Sequence, residues 1–129
     1  MKPDILAVDD QLAMRRLIKV SLMEEFNVDL AEDGADAYSK IAGRRHPYDL
    51  IITDLNMPNL DGIGLISKTR KLSRYIGIPI LIVSTESQAD RKTDAKKAGA
   101  NGWIVKPFEK AQLLNAANKM TGKLDSPNS

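Results

Sequence analysis

The sequence predicts an α/β fold, a doubly wound five-stranded parallel sheet with helices on both faces. Five short apolar runs recur along the 129 residues, and segments with helical spacing separate them. Strand–helix alternation of this kind closes as a parallel sheet with right-handed crossovers. Three of the runs are almost continuously aliphatic, as expected of strands covered on both faces.

The first run is Ile5-Leu6-Ala7-Val8. A helix follows from Leu12 to Glu25, with Met14, Leu17, Ile18 and Leu22 on one face. The second run, Asn27 to Ala31, alternates apolar and polar residues and predicts a half-covered edge strand. Asp33-Gly34 opens a helix that reaches about Ala42. The third run is Leu50-Ile51-Ile52-Thr53, and Asp61-Gly62 opens the next helix, offering Ile63, Leu65 and Ile66 to the core. The fourth run spans Ile78 to Val83; Ser87 would cap the helix after it, and Gly99 would end that helix. The fifth run is Gly102-Trp103-Ile104-Val105, followed by a helix over Lys110–Met120 with Leu113, Leu114 and Ala117 facing in.

Length and composition bound the reading. The chain suits one domain, over residues 1–121, with a small, polar, flexible tail over 122–129. A net charge of +2 gives no strong pull toward nucleic acid or a membrane surface. There is no cysteine, which excludes disulfides, thiolate nucleophiles and zinc–thiolate sites. The opening MKPDILAVDD does not read as a signal peptide, and no stretch has the roughly 20 apolar residues that cross a bilayer. A cytoplasmic monomer is the expectation.

Ligands of open parallel sheets bind at the carboxyl ends of the strands. The residues that fall there are Asp9-Asp10, Asp54, Ser84-Thr85 and Lys106-Pro107. Taken singly, an Asp reads as a helix cap, Ser84 as a satisfied hydroxyl and Lys106 as a solvated lysine. Together they form a pattern, because each follows a different strand. Three carboxylates on one rim cannot all stay ionised unaided. Oxygen donors without cysteine or a nearby histidine point to Mg²⁺ rather than Zn²⁺. The one histidine, His46, lies in the loop before the third strand and reads as a surface residue. Mg²⁺ commonly completes its shell with water and a phosphoryl oxygen, and a carboxylate can serve as the nucleophile toward phosphorus.

Asp9-Asp10, Asp54 within DLNMPNLDG, Ser84-Thr85 and Val105-Lys106-Pro107-Phe108 resemble the receiver domain of two-component response regulators, most closely its single-domain chemotaxis type. The resemblance covers about residues 4 to 120. It implies a flavodoxin-like (βα)5 fold of strand order 2-1-3-4-5, an order long known for the chemotaxis receiver itself. It implies that Asp54 is the phosphoacceptor for a sensor histidine kinase or phosphotransfer protein. Asp9, Asp10, Asp54 and the backbone carbonyl of Asn56 would hold Mg²⁺. Ser84, with Thr85 beside it, and Lys106 would bind the phosphoryl group, and Lys106-Pro107 would be cis. Asn56 and Glu86, both polar, would tune the lifetime of the aspartyl phosphate toward the short end. Output would pass through the helix 4–strand 5–helix 5 face to a partner such as a flagellar motor switch protein.

Two features depart from the family pattern. Trp103 stands where a switch tyrosine or phenylalanine is usual; it either takes part in the switch or packs on helix 4. Helix 4, SQADRKTDAKKA, has no apolar residue larger than alanine and should be loosely held. Its lysines, Lys92 and Lys96 among them, read as a solvated face or as a dock for an acidic partner. Rival functions are a phosphate sink, a phosphorelay or stress-response receiver, and a Mg²⁺-dependent phosphohydrolase. The last usually needs a second acid where this chain has Asn56. A flavodoxin-like FMN carrier would want a phosphate-cradling loop in place of Asp9-Asp10.

Overall fold

The computed structural model describes residues 2–122, so the expected tail, apart from Gly122, lies outside the described residues. Five strands alternate with five α-helices. They are β1 (Asp4–Val8), α1 (Leu12–Leu22), β2 (Asn27–Ala31), α2 (Gly34–Gly43), β3 (Leu50–Thr53), α3 (Gly62–Arg70), β4 (Ile80–Ser84), α4 (Ala89–Ala98), β5 (Gly102–Val105) and α5 (Lys110–Met120). All strands are parallel, in the order β2-β1-β3-β4-β5. No described helix is long and apolar enough to cross a membrane.

The period of two along each strand sorts the core into two layers. Leu6 and Val8 of β1, Ile51 of β3 and Ile80 and Ile82 of β4 face α2, α3 and α4, meeting Ile41, Leu65, Ile66 and Ala95. Their neighbours Ile5, Ala7, Leu50, Ile52, Leu81 and Val83 face α1 and α5, meeting Ile18, Leu22, Leu113 and Ala117. β2 alternates exposed and buried positions, as its edge place requires. Asp33 and Asp61 cap α2 and α3, each accepting a backbone N–H at 2.7 Å.

The structure corrects four details of the sequence reading. α1 ends at Leu22 rather than Glu25, because Phe26 turns back into the core and its N–H bonds the Leu22 carbonyl. Leu17 faces solvent, 47% exposed; Ser21 takes the inward place and returns its hydroxyl to the Leu17 carbonyl at 2.7 Å. β4 begins at Ile80, after Pro79, which has no N–H for the ladder, and it includes Ser84. Gln88, not Ser87, is the N-cap of α4: the Glu86 carboxylate accepts the Gln88 N–H at 3.3 Å and delays the first helical turn.

α4 buries one residue, Ala95. Its carboxyl end is held by Arg70 of α3. That guanidinium donates to the carbonyls of Gly99 (2.7 and 3.2 Å), Tyr75 (2.5 Å) and Ile78 (2.6 Å) and to Asn101 Oδ1 (2.8 Å). Burial pushes its pKa down. Arg70→Met would strand these acceptors, and we expect a loss of about 2 kcal/mol in urea unfolding, with faster amide exchange in the two segments it ties, residues 75–80 and 89–101.

Candidate functional site

Three charged residues of the rim each sit one residue past a strand, and each is pinned there by a further ladder bond. Asp9 N–H bonds the Ala31 carbonyl at 3.2 Å, Asp54 N–H the Val8 carbonyl at 3.0 Å, and Lys106 N–H the Ser84 carbonyl at 2.9 Å. The sheet register therefore aims the side chains at one another. Carboxylate oxygens of Asp9, Asp10 and Asp54 lie within 4.8 Å of each other. The Lys106 ammonium, 8% exposed, stands 2.6 Å from Asp9 Oδ2 and 3.1 Å from Asp54 Oδ2. The Lys106-Pro107 bond is cis.

The remaining oxygens are engaged by main chain. Asp9 Oδ1 accepts from Gln11 N–H at 2.9 Å, and Asp54 Oδ1 from Leu55 N–H at 2.6 Å. Arg15 donates to the Asp9 carbonyl at 2.7 Å. Asp9 is buried, Asp54 half-buried and Asp10 exposed. Burial pushes the Asp9 carboxyl up, and the nearby Asp54 charge adds to this; the Lys106 and Gln11 hydrogen bonds offset only part. Burial works against the Lys106 charge too, but its bonds to Asp9 and Asp54 outweigh burial and hold its pKa up.

Ser84 is fully buried at the end of β4, whereas Thr85 is exposed. Ser84 Oγ accepts the Glu86 N–H at 3.1 Å, and the Glu86 carbonyl accepts from Trp103 Nε1 at 3.0 Å. The half-buried indole thus packs beside α4, with Lys92 Nζ 5.7 Å from its ring centre. Lys92, Lys96, Gly102 and Trp103 help to line a shallow groove of about 260 Å³. Asn56 is exposed in the turn two residues past Asp54, and His46 is exposed, remote from the rim.

The roomier groove at the β2 edge, about 560 Å³ and lined by Asp29, Lys40, Arg44 and Tyr48, lies away from the strand carboxyl ends. Donor chemistry, not size, marks the candidate site.

Two residues in the loop after Asp54 support the site, of which Asn59 lies beyond the sequence reading. Asn59 adopts a positive φ of 70° and donates to Asp33 Oδ2 at 2.7 Å, tying that loop to the start of α2. Asparagine in a turn was the available signal. Gly62 is required by contact: a Cβ there would lie 2.4 Å from the Asp54 carbonyl oxygen.

The family model of the response regulator receiver domain matches residues 5–118. The chain is 37% identical to the chemotaxis protein CheY1 of Helicobacter pylori, over 94% of this chain and 98% of that protein. The solved chemotaxis protein CheY4 of Vibrio cholerae superposes with a TM-score of 0.87 at 35% identity, covering 93% of this chain and 99% of the other. The receiver domain of a sensor histidine kinase from Pseudomonas aeruginosa, solved with a magnesium ion coordinated in its active-site cleft, gives a TM-score of 0.86 at 26% identity, covering 95% and 99%. With its sheet order and acidic rim on that common frame, the chain belongs to the response regulator receiver domain family, whose members are signalling proteins.

The pH dependence of Asp9 follows from its raised pKa. The stability it contributes to metal-free protein is full below the unfolded value of about 3.9 and is lost as pH rises through the higher folded value. Asp9→Asn removes the ionisation. In EDTA, its melting temperature relative to the parent should climb as pH rises from below about 3.9 through the higher folded value. A difference that stays flat with pH would mean that Lys106 fully offsets the burial.

Proposed function

We propose that the protein is a single-domain phosphorylation switch, accepting a phosphoryl group on Asp54 from the phosphohistidine of a sensor kinase or phosphotransfer protein. The observation that carries this is the placing of Asp9, Asp10 and Asp54 within 4.8 Å, with Lys106 on two of them. The donor set fits Mg²⁺: hard carboxylate oxygens, with neither thiol nor imidazole among them. Asp9, Asp10 and Asp54, with the Asn56 carbonyl, would hold the ion. When bound, it would supply neutralising charge for the phosphoryl oxygens; the Pseudomonas relative holds a magnesium ion in its active-site cleft.

The chain's own groups account for the transfer. A carboxylate oxygen of Asp54 attacks phosphorus as the phosphorus–nitrogen bond breaks, and the imidazole leaves with the electron pair. Lys106, already 3.1 Å from Asp54, pairs with the incoming negative charge. The buried Ser84 hydroxyl turns from the Glu86 N–H to a phosphoryl oxygen, which frees the loop that holds Trp103. Asn56 and Glu86 leave the acyl phosphate open to water, so the modified state is short-lived. Chemistry of this kind acts on the protein itself, with no separate substrate. We place the protein in the cytoplasm. Its output is the α4–β5–α5 face, with a motor switch protein as the partner we propose; the names of its relatives support chemotaxis.

Acetyl phosphate with Mg²⁺ should add one phosphoryl group by intact mass. Asp54→Asn or EDTA should lower the yield at least about 100-fold, and Trp103 fluorescence should change with modification. No added mass in the parent would overturn this reading, and an unchanged Trp103 signal would favour a phosphate sink. Charge reversal at Lys92 and Lys96 should weaken binding of an acidic partner by about tenfold while sparing phosphorylation; equal binding would remove α4 from the output face.

A further inference from the structure

The loop after Asp54 holds a backbone conformation that costs energy. Asn59, at φ 70°, is the one non-glycine residue of positive φ among those described. The turn closes around it, because Leu60 N–H bonds the Pro58 carbonyl at 2.8 Å. A bond of that span at such a φ makes a γ-turn of the rare, strained kind. Strained backbone persists where its surroundings hold it, and such places cluster at functional sites.

Here the holding groups belong to the start of α2. Asn59 Nδ2 donates to Asp33 Oδ2 at 2.7 Å, while Asp33 Oδ1 caps α2 by accepting the Asp36 N–H at 2.7 Å. The Asp36 N–H, with the Asn59 amide, holds the Asp33 carboxyl below its usual pKa, so the acceptor is charged at neutral pH. The turn also rests directly on α2: a Cβ on Gly34 would collide with the Leu60 carbonyl oxygen. Main chain fixes the two ends of the loop, through Asp54 N–H on the Val8 carbonyl and Gly62 N–H on the Leu55 carbonyl. Between those ends, over residues 56–60, Asn59 supplies the only side-chain hydrogen bond among the described residues.

We propose that the Asn59–Asp33 bond is a clamp that holds the turn carrying the Asn56 carbonyl in place for Mg²⁺, so that Asn59 and Asp33 are positioning residues and the start of α2 responds to the ion. The inference rests on the Mg²⁺ site proposed above, in which the Asn56 carbonyl is a ligand. A turn asparagine that merely tolerates positive φ could be replaced by glycine without loss. A clamp needs the bond itself. Coupling of this kind is reciprocal: a held turn favours the ion, and the ion favours the held turn and the capped start of α2.

The test uses the full chain with Mg²⁺ alone. Affinity is read from the rise of the urea midpoint with MgCl₂ at constant ionic strength. Asn59→Gly leaves the backbone free to adopt the turn but removes the bond, and should weaken Mg²⁺ binding about tenfold. Asp33→Asn should act likewise, because two amide groups then compete for one bond. Asp33→Asn combined with Asn59→Asp reverses donor and acceptor and keeps the cap of α2; it should restore affinity to within about threefold of the parent. Arg70→Met, destabilised at a remote place, should bind Mg²⁺ as the parent does. Mg²⁺ should also slow amide exchange at Asp36 and Ala37 in the parent but not in Asn59→Gly. Circular dichroism melts confirm that each variant is folded. A parent that binds no Mg²⁺ removes the metal reading and the clamp together. Where the parent binds, equal affinity in Asn59→Gly, a reversed pair that fails to restore affinity, or protection of α2 that survives Asn59→Gly overturns the clamp alone.

Discussion

The constraint on which the site depends is the register of a parallel sheet, carried one residue beyond its last full ladder rung. Asp9, Asp54 and Lys106 each donate a backbone N–H to a neighbouring strand from just outside their own. Their side chains therefore meet over the rim by main-chain geometry rather than by loop flexibility. A slip of one residue in β3 would exchange the layers that face each way, turning Ile51 toward α1 and α5 and Leu50 and Ile52 toward α2 and α3. Hydrophobic sorting on both faces is thus what fixes the position of the carboxylates.

Much of this was legible from the sequence because aliphatic runs and single charged residues at their ends are local signals. β2, β3, β5 and α5 fall where the pattern puts them. Leu17 was misplaced because adjacent leucine and isoleucine residues compete for one helical stripe, and a serine that bonds its own helix can take the inward place at little cost. Ser87 was misplaced because the cap is decided by Glu86, whose carboxylate satisfies the next free N–H. The tie from Asn59 to Asp33 joins residues 26 positions apart, and spacing along the chain carries no trace of it. Arg70 likewise serves carbonyls from two separate segments that only the folded chain brings together.

Burial divides the molecule into a firm half and a lightly anchored one. The acidic rim stands on β1 and β3, whose residues are almost wholly inaccessible, and on a loop constrained by Gly62 and Asn59. Across the sheet, α4 contributes one buried alanine and relies on a guanidinium at one end. Elements with few buried contacts open most readily. The acidic rim is thus mounted on deeply buried strands, and the neighbouring helix is left the easier to displace.

The bridge between Ser84 and Trp103 is made by the peptide groups of residue 86, not by its side chain. The connection from hydroxyl to indole is therefore indifferent to the identity of that residue, with proline the sole exception for want of an N–H. A lineage could exchange Glu86 for a shorter, longer or uncharged side chain, giving up its bond to the Gln88 N–H, without rewiring the path from Ser84 to Trp103. In the switch proposed above, timing and transmission would share this position in the chain yet could evolve separately.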